Sequence, residues 1–443
     1  MKKIARIISY ILFGLAIRYR LYSFIAWFYS NVIKERTANG SLLRFRHKFQ
    51  DEKINILALT PHQFRGDLDC LASSGKCHVL QMDSKWQTRL MYQFYPLGLC
   101  HARILHPSSD DPAIKHKVEY QDFLEKFLPR LYKITNIKCV ISTHLYHAAD
   151  TDWGIVSNKI GVPYIVFHRE NLYAAPITRK RVIDRYKRFG SFQGSHIIVH
   201  NEISRQTFIQ SCYVKPKQIS SLGCLRMDNY LKRLKEDRKN TNESRKKVVF
   251  FPFTVTRYTP FGFSFFKEAH VAFVRFAMLH PETDVIIKPK PDGYPNWRKD
   301  LQRSIEESDI EFQKISNLII RTDLDAHELI LVADVVSGLS STVVVEAAIA
   351  GKPVIIPYFS ELQDPAKDDH IFFKEEFDLF DIAESGDELT DLIVKRLEDQ
   401  RIGKIIMDGR KAMFEKYISS LSGNATEKYI TLIKQVVNGK SMM

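Results

Sequence analysis

Residues 327–358 read HELILVADVVSGLSSTVVVEAAIAGKPVIIPY, and the order of the parts settles the fold class. An apolar helical segment, HELILVA, runs into the short β-rich run DVV. Six residues follow, Ser337-Gly338-Leu339-Ser340-Ser341-Thr342, all but Leu339 small or hydroxyl-bearing, and a second helix then carries Glu346. Gly351-Lys352-Pro353 stops that helix and opens the strand Val354 to Ile356. Helix, strand, helix and strand in this order build a parallel sheet covered on both faces. Hydroxyl residues at a strand-to-helix turn set backbone N–H groups and side-chain OH groups at a helix N-terminus, which suits a monophosphate or diphosphate. Glu346 falls about one turn inside, where a carboxylate can accept both hydroxyls of a ribose. Plain helix capping accounts for Ser and Thr at such a place; the whole arrangement favours the anion site.

The same grammar extends in both directions. Upstream in the second half, Val248 to Phe251, Val285 to Lys288 and Leu318 to Arg321 read as strands, and Phe263 to Leu279 as a helix. Leu389 to Leu397 and Ala425 to Val437 read as terminal helices. In the first half the strands are Ile54 to Leu59, Cys77 to Gln81, Cys139 to Ser142, Tyr164 to Phe167 and Ile197 to Val199. Helices are expected over Tyr120 to Tyr132, despite Pro129, and from Trp153 to Ile160. Between the halves, Lys232 to Lys247 is densely charged, lacks a hydrophobic stripe and reads as a linker. The 443 residues suit two domains. The expected division is 1–50, an amphipathic membrane-associating segment; 51–231; the linker 232–247; and 248–443 with its terminal helices. The fold class is α/β: two doubly wound, Rossmann-like domains facing a cleft, with ligands at the carboxyl ends of the strands.

Composition narrows the partners. Apolar residues make up 45% and charged residues 26%, a globular balance. The formal charge is +14, and the first fifty residues hold ten Lys or Arg against one acid, Glu35. Ile7 to Ile17 and Leu21 to Ile33 are apolar and aromatic, split by Arg18 and Arg20. Neither run reaches the ~20 residues of a spanning helix, and no small-residue cleavage site follows the first. The pattern predicts a helix lying on an anionic membrane surface, at the cytoplasmic face of the plasma membrane; helices packed on the protein itself are the plainer reading. Six cysteines show no paired spacing, so neither a zinc site nor a disulfide framework is expected. Nothing resembles a nucleic-acid recognition motif.

The stretch ADxxxxxSSxxxxEAxxxGKPVI, as it stands over residues 333–355, resembles the nucleotide-binding signature of GT-B transferases that build capsule, teichoic acid and lipopolysaccharide. Three further pieces fit in order: GCLRMD (Gly223 to Asp228), resembling a G-x-x-R-x-D that closes the first domain; VVFFPFT; and VIIKPKP, resembling a K-P-H-P motif. The resemblance covers residues 195 to 360 well and 54 to 170 in layout. It implies that Ser340, Ser341 and Thr342 contact donor phosphate and Glu346 the ribose, with Lys288 and Lys290 near by. Lys290 stands where relatives using CMP- or CDP-linked donors commonly carry a His; a Lys still neutralises phosphate, as a flexible point charge. Arg257, after the strand VVFF, is a further candidate for the leaving phosphate, where its fork matches the oxygens.

Inverting transfer needs one base at the acceptor hydroxyl and positive charge or dipoles on the leaving phosphate. No metal or other cofactor is required if a helix terminus and basic side chains supply that charge. GT-B enzymes commonly place acceptor contacts after the first strand, here His62-Gln63-Phe64-Arg65-Gly66-Asp67-Leu68-Asp69. Asp67 and Asp69 are the leading base candidates, His62 the next, and Glu170, after YIVF, a rival. Asp150 and Asp152 read as caps ahead of a helix. The expected function is therefore an inverting, metal-independent glycosyltransferase acting on a glycan or lipid-linked acceptor. Transfer of an alditol phosphate from a CDP-glycerol-like donor, nucleotide-sugar 2-epimerisation and a non-catalytic scaffold are the alternatives.

Overall fold

The computed structural model describes residues 13–45, 52–96, 98–99, 104–105, 107, 110–236, 245–252, 262–290, 297–306 and 314–439. The chain forms two compact units: Met1–Asn171 with Ile183–Asn229 and Ser422–Met443, and Leu172–Val182 with Tyr230–Leu421.

The first unit is built on eight strands: β1 (Lys34–Arg36), β2 (Leu42–Arg44), β3 (Ile54–Ala58), β4 (Cys77–Gln81), β5 (Cys139–Ser142), β6 (Tyr164–Phe167), β7 (His196–Val199) and β8 (Ile219–Ser221). Their order is β2-β1-β4-β3-β5-β6-β7-β8. β3 to β8 are parallel; β1 runs antiparallel to both β2 and β4. The central strands β5, β6 and β7 are buried on both faces, which is why they read as largely apolar runs. Ile56, Val79, Ile141, Ile165 and Ile198 make one side of the core with Leu68 and Leu71 of the helix Asp67–Ser73. Gly154 lies where the helix Ala148–Lys159 presses on β6: a Cβ there would meet the Tyr164 ring at 2.3 Å, so no larger residue fits.

Three expectations change here. Of the first fifty residues, the stretch Lys34–Arg36 belongs to the first unit's sheet rather than to a separate segment, because β1 pairs with β4, Lys34 opposite Gln81 and Arg36 opposite Val79. The helix Tyr22–Val32 buries Ile25, Ala26, Tyr29 and Ser30, and the Tyr29 hydroxyl donates to the Trp86 carbonyl at 2.8 Å. Its other face leaves Leu21, Phe24 and Trp27 exposed. Residues 1–12 lie outside the described residues. The helix Ala425–Val437, expected in the second half, inserts Tyr429, Ile430, Leu432 and Ile433 into the first unit's core. Asp228 holds its start, accepting from the N–H groups of Ala425 (3.1 Å) and Thr426 (2.7 Å), and the Tyr429 hydroxyl donates to the Gly223 carbonyl. Both ends of GCLRMD thus bind this helix. Third, the helix Ala113–Thr135 is longer than expected, and Ala148–Lys159 begins early enough to enclose Asp150 and Asp152, which are buried within it rather than ahead of it.

The second unit holds β9 (Lys246–Phe251), β10 (Thr283–Ile287), β11 (Leu318–Ile320), β12 (Val335–Gly338), β13 (Val354–Pro357) and β14 (Asp381–Ala383), ordered β11-β10-β9-β12-β13-β14 and parallel throughout. Helices Phe263–Leu279, Ala326–Val332, Thr342–Ile349, Gly386–Glu398 and Lys404–Tyr417 cover it. The stretch 232–247 is helical to Glu236, the end of Leu225–Glu236, and becomes β9 at Lys246; residues 237–244 lie outside the described residues. In both sheets the strand order reverses beside the first parallel strand: between β3 and β5 in the first unit, and between β9 and β12 in the second. Such a reversal opens a crevice at the carboxyl ends of the strands, where ligands of doubly wound sheets bind.

Candidate functional site

In the second unit the reversal falls at the hydroxyl-rich bend. β12 extends through Ser337 and Gly338, so the turn is shorter than the sequence implied and comprises Leu339, Ser340 and Ser341. Ser340 takes a left-handed backbone, φ 50°, at a cost of about 1 kcal/mol for a residue with a Cβ. Its Oγ accepts from the Phe372 N–H at 3.3 Å. Ser341 is the N-cap residue of Thr342–Ile349, yet its hydroxyl makes no capping bond. The hydroxyl and the orphan N–H groups of the first turn are therefore available to an anion. Ser337, fully buried one turn below, has no hydrogen-bond partner for its Oγ among the described residues.

Glu346 sits in the same helix, 3% exposed. His327 Nε2 lies 3.3 Å from its Oε2. Tyr230 stacks on the His327 ring at 4.1 Å and donates its hydroxyl to the Glu346 backbone carbonyl at 2.7 Å. The carboxylate is thus covered by the His327 imidazole. His327 and Tyr230 were missed in the sequence as site residues, since one was read as helix and the other lies 116 residues from Glu346. Lys288 is half-buried and points its Nζ at the carbonyls of Pro289 and Thr322, 3.4 Å each; burial pulls its pKa down against Asp325 and Asp323. Lys290 is exposed. Arg257 lies outside the described residues.

In the first unit, polar side chains crowd the carboxyl ends of β3, β5, β6 and β7. The β3 loop is contorted: Thr60, Arg65 and Gly66 all have left-handed backbones, φ 46°, 44° and 100°. Asp67 is buried, and its Oδ1 has no hydrogen-bond partner among the described residues. Burial raises its pKa against the opposing charges of Arg226, Arg169 and Arg65. Arg169 donates to the Gln63 carbonyl, while its buried Nε likewise lacks a partner. An unmet carboxylate oxygen and an unmet guanidinium N–H in one neighbourhood are costly, and a polar ligand or water relieves both.

Asp69 is placed differently. Arg36 grips it from both sides, Nε to Oδ1 at 2.6 Å and Nη2 to Oδ2 at 2.9 Å, a two-pronged pair that ties β1 to the helix Asp67–Ser73. Its oxygens are committed to holding the sheet edge. His62 is exposed and bonded to the neighbouring Gln63 amide at 3.0 Å.

Glu170 follows β6, with its side chain 63% exposed. His144 Nε2, after β5, lies 4.0 Å from Oε1, and the Tyr146 hydroxyl bonds the same carboxylate. Burial works to raise the Glu170 pKa, but the Tyr146 bond and the nearby His168, His144 and Arg185 outweigh it, and the net direction is down. His168 is pushed down to about 4 by burial, and His200, after β7, well below its usual value by burial and by Arg226 and Arg169. A neutral imidazole can accept a proton or hydrogen bond at neutral pH. His144 and His200 went unremarked in the sequence, although each follows a strand within two residues of its end, the place a doubly wound sheet reserves for ligands.

Asp150 is buried on Thr60 and Gln87, accepting at 2.7 and 2.9 Å, and burial raises its carboxyl to about 6. Asp152 is held by Lys117, Gln121 and Tyr95 and is a packing element.

Two strand-order reversals, each with polar residues at the carboxyl ends, define a protein of two Rossmann-like units, as in GT-B enzymes. No family model matches the chain, and no curated protein matches it in sequence. Solved structures do match in fold. A Listeria monocytogenes protein assigned provisionally as a UDP-N-acetylglucosamine 2-epimerase superposes with a TM-score of 0.50 at 11% identity, over 86% of this chain and 96% of that one. The wall teichoic acid polymerase TagF gives 0.43 at 13% identity, over 70% and 76%. The Anabaena protein HepE, in complex with UDP and glucose, gives 0.44 at 14%, over 86% and 100%. At such identities the likeness is one of fold.

Proposed function

We propose that this chain is an inverting glycosyltransferase that takes a sugar from a nucleotide-linked donor. The observation that carries the reading is the second unit's bend. A helix N-terminus lies at the strand-order reversal, and its N-cap serine leaves its hydroxyl unused. In this reading Ser341, Thr342 and the first-turn N–H groups bind the donor's phosphates, and Glu346 takes the ribose once His327 moves. The helix dipole stabilises the charge that develops on the leaving diphosphate. On the first unit Glu170 removes the proton from the acceptor hydroxyl as that oxygen bonds to the sugar's anomeric carbon; the bond from that carbon to the diphosphate breaks, and the nucleotide leaves with the electron pair. Glu170 takes this role ahead of Asp69, whose oxygens Arg36 occupies, and ahead of buried Asp67. Tyr146 and His144 orient it.

The acceptor side includes a membrane. Tyr19, Leu21, Phe24, Trp27 and Leu43 are exposed apolar residues, interspersed with Arg18, Arg20 and Arg44. Among the described residues no helix is long and apolar enough to cross a bilayer, and surface attachment of this face accounts for the pattern. A second reading, epimerisation at a sugar carbon, is favoured by the several carboxylates and neutral histidines gathered on the first unit, a set able to move a proton to and from carbon.

One panel tests both. The protein is heated with UDP-, GDP-, CMP- and CDP-linked donors, then the donor it prefers is incubated in D2O with and without a glycan acceptor. A raised Tm with one nucleotide class, and nucleotide release that requires acceptor, supports transfer. Deuterium entering the sugar without acceptor supports epimerisation. No stabilisation by any of the four refutes both.

A further inference from the structure

The first unit also contains a cavity of about 790 Å3 beside the β3 loop, framed by β1, β2 and the start of the helix Ser84–Met91. Its wall is mixed. Leu42, Phe64, Met82 and Trp86 give an apolar side, and Lys34, Arg36, Arg65 and Lys85 bring positive charge. Asp83 is the one acid in that lining, and Lys85 neutralises it at 2.6 Å. Arg36 is committed to Asp69. Lys34 and Arg65 are left: both are exposed, and neither has a hydrogen bond or ion pair among the described residues. Lys34 and Arg65, the latter also facing the buried Asp67 carboxylate, set positive charge over an apolar wall, which matches a phosphate joined to a hydrocarbon. Leu42 lines the cavity and is itself an exposed apolar residue; next to it in the chain, Leu43 is more exposed still, as are Phe24 and Trp27 on the helix whose end, Asn31 and Val32, also lines the cavity. Exposed apolar side chains thus lie in and next to the segments that line the cavity.

We propose that this cavity holds the phosphate and first hydrocarbon units of a lipid phosphate that carries the acceptor, with Lys34 and Arg65 on the phosphate oxygens and Trp86 and Leu42 against the chain. The assignment rests on the transferase reading for the term acceptor, but the binding itself does not depend on it. Free phosphate shares the head-group chemistry; the apolar wall favours the lipid.

Calorimetric titration of the full chain with farnesyl phosphate, inorganic phosphate and farnesol tests it. Farnesyl phosphate should bind at least tenfold more tightly than either fragment. Lys34→Gln and Arg65→Asn should each weaken it about tenfold, as expected for one charge-assisted contact; Asn tolerates the left-handed backbone of residue 65. Lys34→Arg should restore binding, which a folding defect would not allow. UDP binding should be unchanged in these variants, and Ser341→Ala should show the converse, so failure of the lipid site and failure of the donor site read separately. Equal affinity for inorganic and farnesyl phosphate, or farnesyl phosphate binding unaffected by both neutral substitutions, overturns the proposal.

Discussion

Replacing Ser341 by alanine separates donor binding from helix capping, because the two roles predict opposite outcomes. Where an N-cap side chain bonds the helix, its loss costs about 1 kcal/mol of stability. Ser385 is such a cap, accepting from the Glu388 N–H at 3.1 Å. Ser341 has the same extended backbone, φ −139° and ψ 151°, but no capping bond. Ser341→Ala should therefore cost under about 0.5 kcal/mol, since the half-buried side chain loses one oxygen and no bond is broken. A hydroxyl bonded to a charged phosphate is worth about 1.5–3 kcal/mol, so donor affinity should fall roughly ten- to hundredfold. Thermal unfolding of Ser341→Ala and Ser385→Ala, paired with titration of the preferred nucleotide into each, gives the comparison. The account expects Ser385→Ala to lose stability and keep affinity, and Ser341→Ala to do the reverse. A Ser341→Ala protein with lowered Tm and unchanged Kd would show the residue to be an ordinary cap.

Four further outcomes follow from the geometry. Glu170→Gln should lower turnover at least a hundredfold, the scale of a lost general base, with nucleotide affinity unchanged; because the Glu170 carboxyl sits below its usual pKa, wild-type kcat/KM should hold at neutral pH and fall only in acid below about 4.5. Asp69→Asn should leave kcat within about threefold and cost about 1–2 kcal/mol in chemical denaturation, since Arg36 loses an ionic partner; a large fall in turnover at full stability would return Asp69 to the role of base. Asp150 has its folded-state pKa raised to about 6, so its contribution is fully present below the unfolded value near 3.8 and is lost as pH rises through 6. Relative to Asp150→Asn, wild type should lose about 2 kcal/mol between pH 4 and 7, and parallel stability curves would contradict this. Trp27→Glu with Phe24→Glu should abolish sedimentation with anionic vesicles while leaving the Tm near its wild-type value, both side chains being exposed; unchanged sedimentation would remove this face from the membrane.

What the sequence disclosed, and what it withheld, follows the range of the interactions. VVFF, VIIK and YIVF are strands buried on both faces, and their composition alone marks them. The bend at Ser340 and the place of Glu346 about one turn into the following helix are local and were legible in the sequence. The β1–β2 hairpin was missed because its strands are three residues each and half polar, although Asn39-Gly40 between KER and LLR, with Gly40 at φ 78°, is a turn signal. Arg36 gripping Asp69 joins residues 33 apart, and nothing local announces it. The helix Ala425–Val437 was correctly read as a helix; its partners, two hundred residues earlier, carry no local mark. His327 over Glu346 belongs to the same class, two neighbouring helices brought together by the sheet beneath them.

The most direct test of the whole account is a crystal of this protein grown with its preferred nucleotide sugar. The account predicts density for the donor phosphates within hydrogen-bond distance of the Ser341 hydroxyl and the first N–H groups of Thr342–Ile349, with His327 turned away and the ribose on Glu346. A nucleotide bound elsewhere, or a bend still closed beneath His327 at saturating ligand, would contradict it.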